Sequence, residues 1–296
     1  MKKKFLALVM TLSMVLSLVP MTALAAEVAP AEEQVGALSQ DEQHQEQDNE
    51  EKQEENEEEA EGEDVPKATP EVGTSFTEES VQYKITAENE VEVTGCENSV
   101  TELNIPQTVV YQGTEYTVTS IGDGAFDYYN QSKNNKGLTI SSVNLNNVSL
   151  TIGKNAFRGL PNLTEVVGMG NITEISDAAF NSCKVLKKVS DLSALTSIGD
   201  RAFMICPELA ELDGIEWSSL THIGKQAFQF YSTSDPELTS SLKLELTENT
   251  FQSLTSIGEG AFSGCSGVTG KVVFPESITE IPNSVFSGTG ITDVDF

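Results

Sequence analysis

Thr255-Ser256-Ile257-Gly258-Glu259-Gly260-Ala261-Phe262 is the stretch that decides the fold, because this octet, with small variations, occurs seven times between residue 119 and the C-terminus. Aligned on the isoleucine, the copies give Ile121, Ile152, Ile175, Ile198, Ile223, Ile257 and Ile281. Five residues after each stands an aromatic: Phe126, Phe157, Phe180, Phe203, Phe228, Phe262 and Phe286. Successive isoleucines are 31, 23, 23, 25, 34 and 24 residues apart, so the unit is about 23 residues with two longer insertions. Self-similarity at that period marks a solenoid, in which each unit buries its apolar side chains only against its neighbours. The seven isoleucines and seven phenylalanines are therefore expected to be its structural spine.

Within a unit, as from Leu186 and Val189 through Leu195 and Ile198 to Phe203, Cys206 and Leu209, apolar residues recur at short alternating spacing. The pattern predicts two brief strands per coil and a helical or 3₁₀-like turn at 202–206 between them. One coil cannot offset the entropy of ordering its own backbone, so stacking must supply the difference. The glycine after the isoleucine (Gly122, Gly153, Gly199, Gly224, Gly258) invites a left-handed reading, yet Ser176 and Pro282 fill the same slot. Proline is held near a φ of about −65°, so the slot reads as a tight corner that needs little bulk.

The chain is uneven in composition. Residues 1–25 carry Lys2, Lys3 and Lys4, an apolar run from Phe5 to Val19 and then Ala23-Leu24-Ala25, the three-part pattern of a secretory signal peptide. The run is short for a membrane span, and no other stretch could cross a membrane, so the mature chain is expected to be exported without a transmembrane segment. Residues 26–71 hold 18 acidic residues against Lys52 and Lys67. With so little to bury, this segment is expected to be a disordered acidic spacer, reaching on the order of 35–40 Å. Residues 72–296 carry 28 acidic and 12 basic residues, a net charge of −16. No basic patch with interleaved aromatics is present to neutralise phosphates, which argues against nucleic acid as a partner.

Residues 72–118 precede the first full octet and alternate apolar with polar side chains: Tyr83 and Ile85, Val91 and Val93, Leu103 and Ile105. Val109-Val110-Tyr111 then faces Tyr116-Thr117-Val118 across Gln112-Gly113 as a hairpin. A stacked array needs its apolar end covered, so this segment is expected to be an N-terminal β cap on a solenoid occupying 119–296.

Thr-Ser-Ile-Gly-x-x-Ala-Phe with a cysteine three residues on, together with the steps Ile105-Pro106 and Phe274-Pro275, resembles the BspA-like leucine-rich-repeat family of bacterial surface proteins over residues 76–296. The opening is similar as well, in Tyr83-Lys84-Ile85, Val91-Glu92-Val93-Thr94-Gly95 and the run from Tyr116 to Gly122. The resemblance implies a mainly β solenoid of about seven coils, secreted or displayed at the cell surface and used for attachment, with members that bind host matrix proteins or other cells. The family motif is structural, so it carries over no catalytic residue and no cofactor. Ser176, Pro282 and Val285 depart from it, and repeats one, two, five and seven lack the cysteine.

Cys183, Cys206 and Cys265 each follow their phenylalanine by three residues, in a slot that Tyr129, Leu160 and Tyr231 fill elsewhere. That substitution pattern reads as a core position with cysteine acting as a small hydrophobe. A Cys183–Cys206 disulfide is the alternative that export and neighbouring coils permit, whereas Cys206 and Cys265 are two coils apart, about 10 Å at strand spacing. Neither Cys-x-x-Cys spacing nor clustered histidines suggest a metal site. His44 lies in the acidic segment and His222 at a surface position of its octet. No serine is offered a histidine base by the spacing.

The two insertions are the candidates for partner contact. They read Asp127-Tyr128-Tyr129-Asn130-Gln131-Ser132 and Gln229-Phe230-Tyr231-Ser232-Thr233-Ser234-Asp235, leaving the coil at the same corner with two aromatics each. Loops added to one face of a solenoid often form its binding surface, and tyrosine beside Asn and Ser is a recognition-like composition. Tyr128, Tyr129, Phe230 and Tyr231 are thus the candidate binding residues. The competing reading places Tyr129 and Tyr231 in the cysteine slot as core, and Trp217 reads as packing. At the C-terminus, 291–296 aligns with the start of a coil that earlier continues into Pro275, so the array is expected to be incomplete there, or to pair with something. The functional expectation is an adhesin-like protein that binds a host or bacterial surface macromolecule, protein or glycan. The alternatives are an assembly protein of the envelope and, further off, a glycan-acting enzyme.

Overall fold

The computed structural model describes residues 70–130, 132, 135, 138–231 and 239–296. Residues 1–25, read above as a signal peptide, nearly all of the acidic segment and parts of both insertions lie outside the described residues. Three strands, β1 (Ser75–Glu78), β2 (Val81–Ala87) and β3 (Glu90–Cys96), form an antiparallel meander. After β4 (Glu102–Asn104), the strands β5 (Thr108–Tyr111) and β6 (Thr114–Ile121) make the hairpin across Gln112-Gly113. Alternation of buried Val81, Tyr83 and Ile85 with exposed neighbours gives β2 one core face, as period-2 patterning requires. Strand β3 then pairs in parallel with β6, setting Val93 against Ile121.

From Ile121 onward the chain repeats. One column of short strands continues β6 through β8 (Thr151–Ile152), β10 (Glu174–Ile175), β12 (Ser197–Ile198), β14 (His222–Ile223) and β16 (Ser256–Ile257). Its parallel register places Ile121 on Ile152, Ile175, Ile198, Ile223 and Ile257 in turn. A second column joins β4 to β7 (Ser142–Asn144), β9 (Glu165–Val167), β11 (Lys188–Val189) and β13 (Glu211–Leu212). It stops there, and a separate sheet of β15 (Leu244–Leu246), β17 (Val268–Val273) and β18 (Gly290–Asp295) begins after the second insertion. With the turn made by β3 and β4, the solenoid has about eight turns.

Between the columns the octet builds a third stacked layer. Phe126, Phe157, Phe180, Phe203, Phe228 and Phe262 stack face to face with ring centroids 5.2–5.4 Å apart. The last of them meets Phe286 at 5.8 Å. Backbone amides here alternate between two partners. In coil 3 the Ala178, Phe180 and Ser182 amides donate to the Asp200, Ala202 and Met204 carbonyls of the next coil, and the Ala179 and Asn181 amides close turns on the Ser176 and Ala178 carbonyls. The expected turn is therefore present as isolated 3₁₀-type bonds, each from an amide to the carbonyl three residues back, and not as a continuous helix. The residue three after the isoleucine is left-handed in every coil (Gly124, Asn155, Ala178, Arg201, Gln226, Gly260 and Ser284, φ 54° to 66°). The left-handed residue gives its own amide to the next coil while the amide after it closes a turn within its own coil, so the turn bonds alternate with inter-coil bonds and cannot propagate into a helix.

The glycine after the isoleucine is a different matter. None of these five glycines is left-handed. A Cβ at Gly153, Gly199, Gly224 or Gly258 would lie 2.6, 2.7, 2.4 or 2.2 Å from a backbone nitrogen of the coil before it. Close passage of one backbone over another, not torsion, keeps the corner small. The opening threonine of the octet is a rung as well: Thr196, Thr221 and Thr255 each donate their hydroxyl to the carbonyl of the threonine one coil earlier, at 3.1, 3.1 and 2.8 Å.

Candidate functional site at the interrupted coils

Numbering each coil from its isoleucine, position +7 decides where the next side chain goes. It is left-handed at Gly159, Ser182, Ile205, Gly264 and Gly288 (φ 75°, 62°, 60°, 82° and 72°). In four of these coils the following residue, Leu160, Cys183, Cys206 or Cys265, swings into the core and is buried. Coils 1 and 5 have Tyr128 and Phe230 at +7, and neither is left-handed. Their +8 residues, Tyr129 and Tyr231, stay outside, 49% and 51% exposed. The core reading of these two tyrosines is thus overturned: the slot is core only where +7 turns the chain inward. Phe230 is corrected in the opposite sense. It is 7% exposed, with its amide donating to the Ser263 carbonyl at 2.8 Å, so its ring is unavailable to a partner. Tyr128 is half-buried.

The first interruption is fastened from several sides. Arg158, one coil on, grips the buried Asp127 carboxylate through both Nε and Nη2, at 3.0 and 2.8 Å. Asp127 Oδ1 also accepts from the Tyr129 amide at 3.0 Å. Its carbonyl accepts from the Asn135 side chain at 3.1 Å, and that side chain is itself buried. The same guanidinium sits 5.6 Å from the centre of the Tyr129 ring, and Tyr128 meets that ring edge-on at 5.8 Å. Beneath it lies Gly159, where a Cβ would come within 2.3 Å of the ring. Tyr129 is therefore a fixed ring, held by a cation, a glycine floor and an edge-on neighbour.

The cysteine slot is core, and the alternative of a Cys183–Cys206 bridge is not formed: both thiols are free, buried and directed to other partners. Cys183, Cys206 and Cys265 each donate to the carbonyl of the phenylalanine one coil back, Phe157, Phe180 and Phe228, at 3.1 Å. Burial pushes Cys183 up to about 12, Cys265 to about 11 and Cys206 well above the ordinary thiol value. These are inert core groups. The sequence reading passed over Cys96, which is buried in β3 and is raised to about 12, first by burial and then by Glu97. Trp217, in the 3₁₀ helix Trp217–Ser219, packs on Phe228, Phe251 and Phe262. His222 is half-buried, its Nδ1 2.5 Å from Ser256 Oγ. Among the described residues no group of three or more His, Cys, Asp or Glu side chains is placed to share a metal ion. No helix among them is long and apolar enough to cross a membrane.

A comparison with curated proteins gives no match. Among solved structures, a leucine-rich repeat protein from Bacteroides ovatus is similar, with 27% identity and a TM-score of 0.53 over 73% of this chain and 57% of that one. This chain thus spans a little over half of that relative's length. The T. pallidum leucine-rich repeat protein (20% identity, TM-score 0.47, 68% of this chain and 86% of that one) is also similar. So is the pneumococcal vaccine antigen PcpA (17%, 0.45, 77% and 71%). The family model for the BspA-type leucine-rich repeat region matches in six copies, at residues 120–253 and 243–296. That match covers more than half of the chain and falls on the octets that stack its coils: the chain belongs to the BspA-type leucine-rich-repeat family.

Proposed function

We propose that this is a non-catalytic, adhesin-like binding protein, secreted or held at the bacterial surface, whose rigid solenoid presents the interrupted edges of coils 1 and 5 to a protein or glycan on a host or bacterial surface. The observation that carries the reading is Tyr129, a half-exposed aromatic ring fixed by the Asp127–Arg158 pair and Asn135. Holding a large ring at the surface in one orientation lowers the ordering cost of binding, and rigid aromatic anchors dominate recognition surfaces. A merely tolerated loop requires no such support. Membership of the family and the leader-like pattern at 1–25 support export. The acidic segment 26–71 serves as the spacer, and residues 72–118 serve as the cap over the first coil.

The test is capture of fixed bacterial or epithelial cells, and of immobilised matrix proteins, by the mature chain on beads. Tyr129→Ser combined with Tyr231→Ser is expected to lower capture at least tenfold, about 1.4 kcal/mol, without moving the thermal midpoint. Undiminished capture would reject these residues as the contact.

A further inference from the structure

We infer that the edge running from Tyr129 to Tyr231 binds a linear, uncharged polysaccharide laid along the solenoid axis, with each tyrosine stacked on a sugar ring; the inference rests on the reading of the interrupted coils as the binding surface. The two tyrosines occupy the same position of their coils, four coils apart. Phenylalanine rings one coil apart lie 5.2–5.4 Å centre to centre and neighbouring strands about 4.8 Å apart, so four coils separate the two tyrosines by about 19–21 Å along the axis. In the three coils between them the +8 side chain is turned into the core. The stretch between them carries the half-buried Arg158, Ser182, Met204 and Ile205 with the buried Gly159 and Asn181, none of them aromatic, and an exposed tyrosine stands at each end.

What this stretch lacks selects the ligand. Its main chain is already committed: the Gly159, Ser182 and Ile205 amides donate to the Asn181, Met204 and Gln229 carbonyls of the next coil at 2.8, 2.8 and 3.0 Å. An extended peptide could not add as a strand, which is how exposed backbone gives affinity for peptides. Charge selects in the same direction. Residues 72–296 carry a net −16, yet on this stretch the one cation is paired with Asp127 and the remaining side chains are neutral. An anionic polymer meets repulsion at long range and no free cation on arrival, and a cationic one finds no free carboxylate.

Ring faces and neutral polar groups remain. The C–H face of a pyranose stacks on tyrosine, its hydroxyls suit Ser182, whose own hydroxyl donates to the buried Asn181 Oδ1 at 2.8 Å and can still accept, and the repeat of an extended sugar chain is close to one coil step. At the Tyr231 end, Gln229 Oε1 is the buried side-chain oxygen among the described residues that has no hydrogen-bond partner. A turn of that half-buried amide would offer it to a sugar hydroxyl, and such orphaned acceptors in native proteins call for a partner.

The experiment is titration calorimetry of the full mature chain with soluble neutral β-glucan, chitin, mannan and galactan oligosaccharides of two to eight rings. Heparin and a proline-rich peptide of matching length serve as comparison probes. Binding is expected for at least one neutral series, with affinity rising at least tenfold once the chain reaches about four to five rings, the span of about 19–21 Å between the two tyrosines, and then levelling. Tyr129→Ser or Tyr231→Ser should each remove that step at unchanged thermal midpoint. Absence of binding to every neutral series overturns the inference, as does binding without a length step or unaffected by both substitutions. Tighter binding of heparin or of the peptide also overturns it. If cells or matrix proteins are still captured through Tyr129 while all neutral glycans fail, the binding function stands and only the ligand class falls; if both fail, both readings fall.

Discussion

Coils 3 and 1 carry variants of one octet, stack the same phenylalanine and part at position +7. Ser182 is left-handed and sends Cys183 inward, whereas Tyr128 is not and leaves Tyr129 outside. Coil 5 repeats the behaviour of coil 1 through Phe230 and Tyr231. The left-handed region costs a non-glycine residue roughly 1–2 kcal/mol. A large aromatic at +7 that declines it therefore has a thermodynamic reason to let the chain leave the coil. The scaffold is thus common to all coils, and the surface that distinguishes them is set by the residue that follows it.

If the octet is equivalent in regular and interrupted coils, Phe180→Ala and Phe126→Ala should each cost about 3–5 kcal/mol, the usual range for emptying a buried phenylalanine site. Both rings are fully buried in the same stack. Urea denaturation measures the two losses. A much smaller loss at Phe126 would mean that the interruption reaches back into the octet, and the comparison would break.

Next in size are the glycines that face the interruptions from the following coil. Gly264 has φ 82°, and a Cβ there would come within 1.9 Å of the Phe230 carbonyl oxygen, a backbone atom that cannot move aside. Torsional strain and overpacking together should make Gly264→Ala cost about 3 kcal/mol. The atoms nearest a Cβ at Gly159 are those of the Tyr129 ring, which can swing away, so Gly159→Ala should cost about 1–2 kcal/mol and displace that ring. A red-shifted or more quenchable tyrosine signal in the second variant, absent from the first, would sharpen the distinction between a fixed backbone and a movable ring.

A smaller effect with the opposite sign is expected at Ile205, a β-branched residue held at φ 60°. Ile205→Gly should raise stability by about 0.5–1 kcal/mol, because relief of the left-handed strain exceeds the entropic cost of glycine. Tyr128→Gly relieves no such strain and should be neutral or destabilising. A stabilised Tyr128→Gly variant would contradict the assignment of +7 as the deciding position.

These residues also mark how far the sequence could be read. The Ile and Phe columns were legible because the same side chains recur at one spacing and each is large enough to define a layer. The corner glycine was legible because Ser176 and Pro282 argued against torsion and for bulk, and the backbone approach at Gly153 and Gly258 agrees. The left-handed +3 position was not legible: Gly, Asn, Ala, Arg, Gln, Gly and Ser fill it, and most of these carry no signal of positive φ. Position +7 did carry one, in Gly159, Gly264 and Gly288 against Tyr128 and Phe230, but it could be seen only by comparing coils after their alignment. Without it, Tyr129 and Tyr231 fell into the cysteine slot by register alone. The Arg158–Asp127 grip joins residues 31 apart, with nothing in either local sequence to announce it.

The smallest expected effect contrasts that buried ion pair with an exposed one. Lys154 Nζ lies 2.8 Å from Asp177 Oδ2, both side chains largely in solvent. The Lys154 hydrogen bond, reinforced by the Asp200 amide and opposed by partial burial, holds the Asp177 carboxyl below the ordinary aspartate value. A carboxyl that titrates lower in the folded state than in the unfolded one stabilises the fold above the ordinary aspartate pKa, about 4. That contribution is lost as pH falls through the depressed value. Lys154→Met should therefore let Asp177 titrate closer to the ordinary value in an NMR pH series and reduce any acid-limb stability difference below about pH 4, with no resolvable change at pH 7, since exposed pairs contribute little. Arg158→Met, by leaving Asp127 buried without its partner, should instead destabilise the fold at pH 7 by several kcal/mol, in the manner of buried charges that lose their counter-ion. Equal behaviour of the two variants at pH 7 would show that the grip beneath Tyr129 is no firmer than an ordinary surface pair and that the ring is not held fixed.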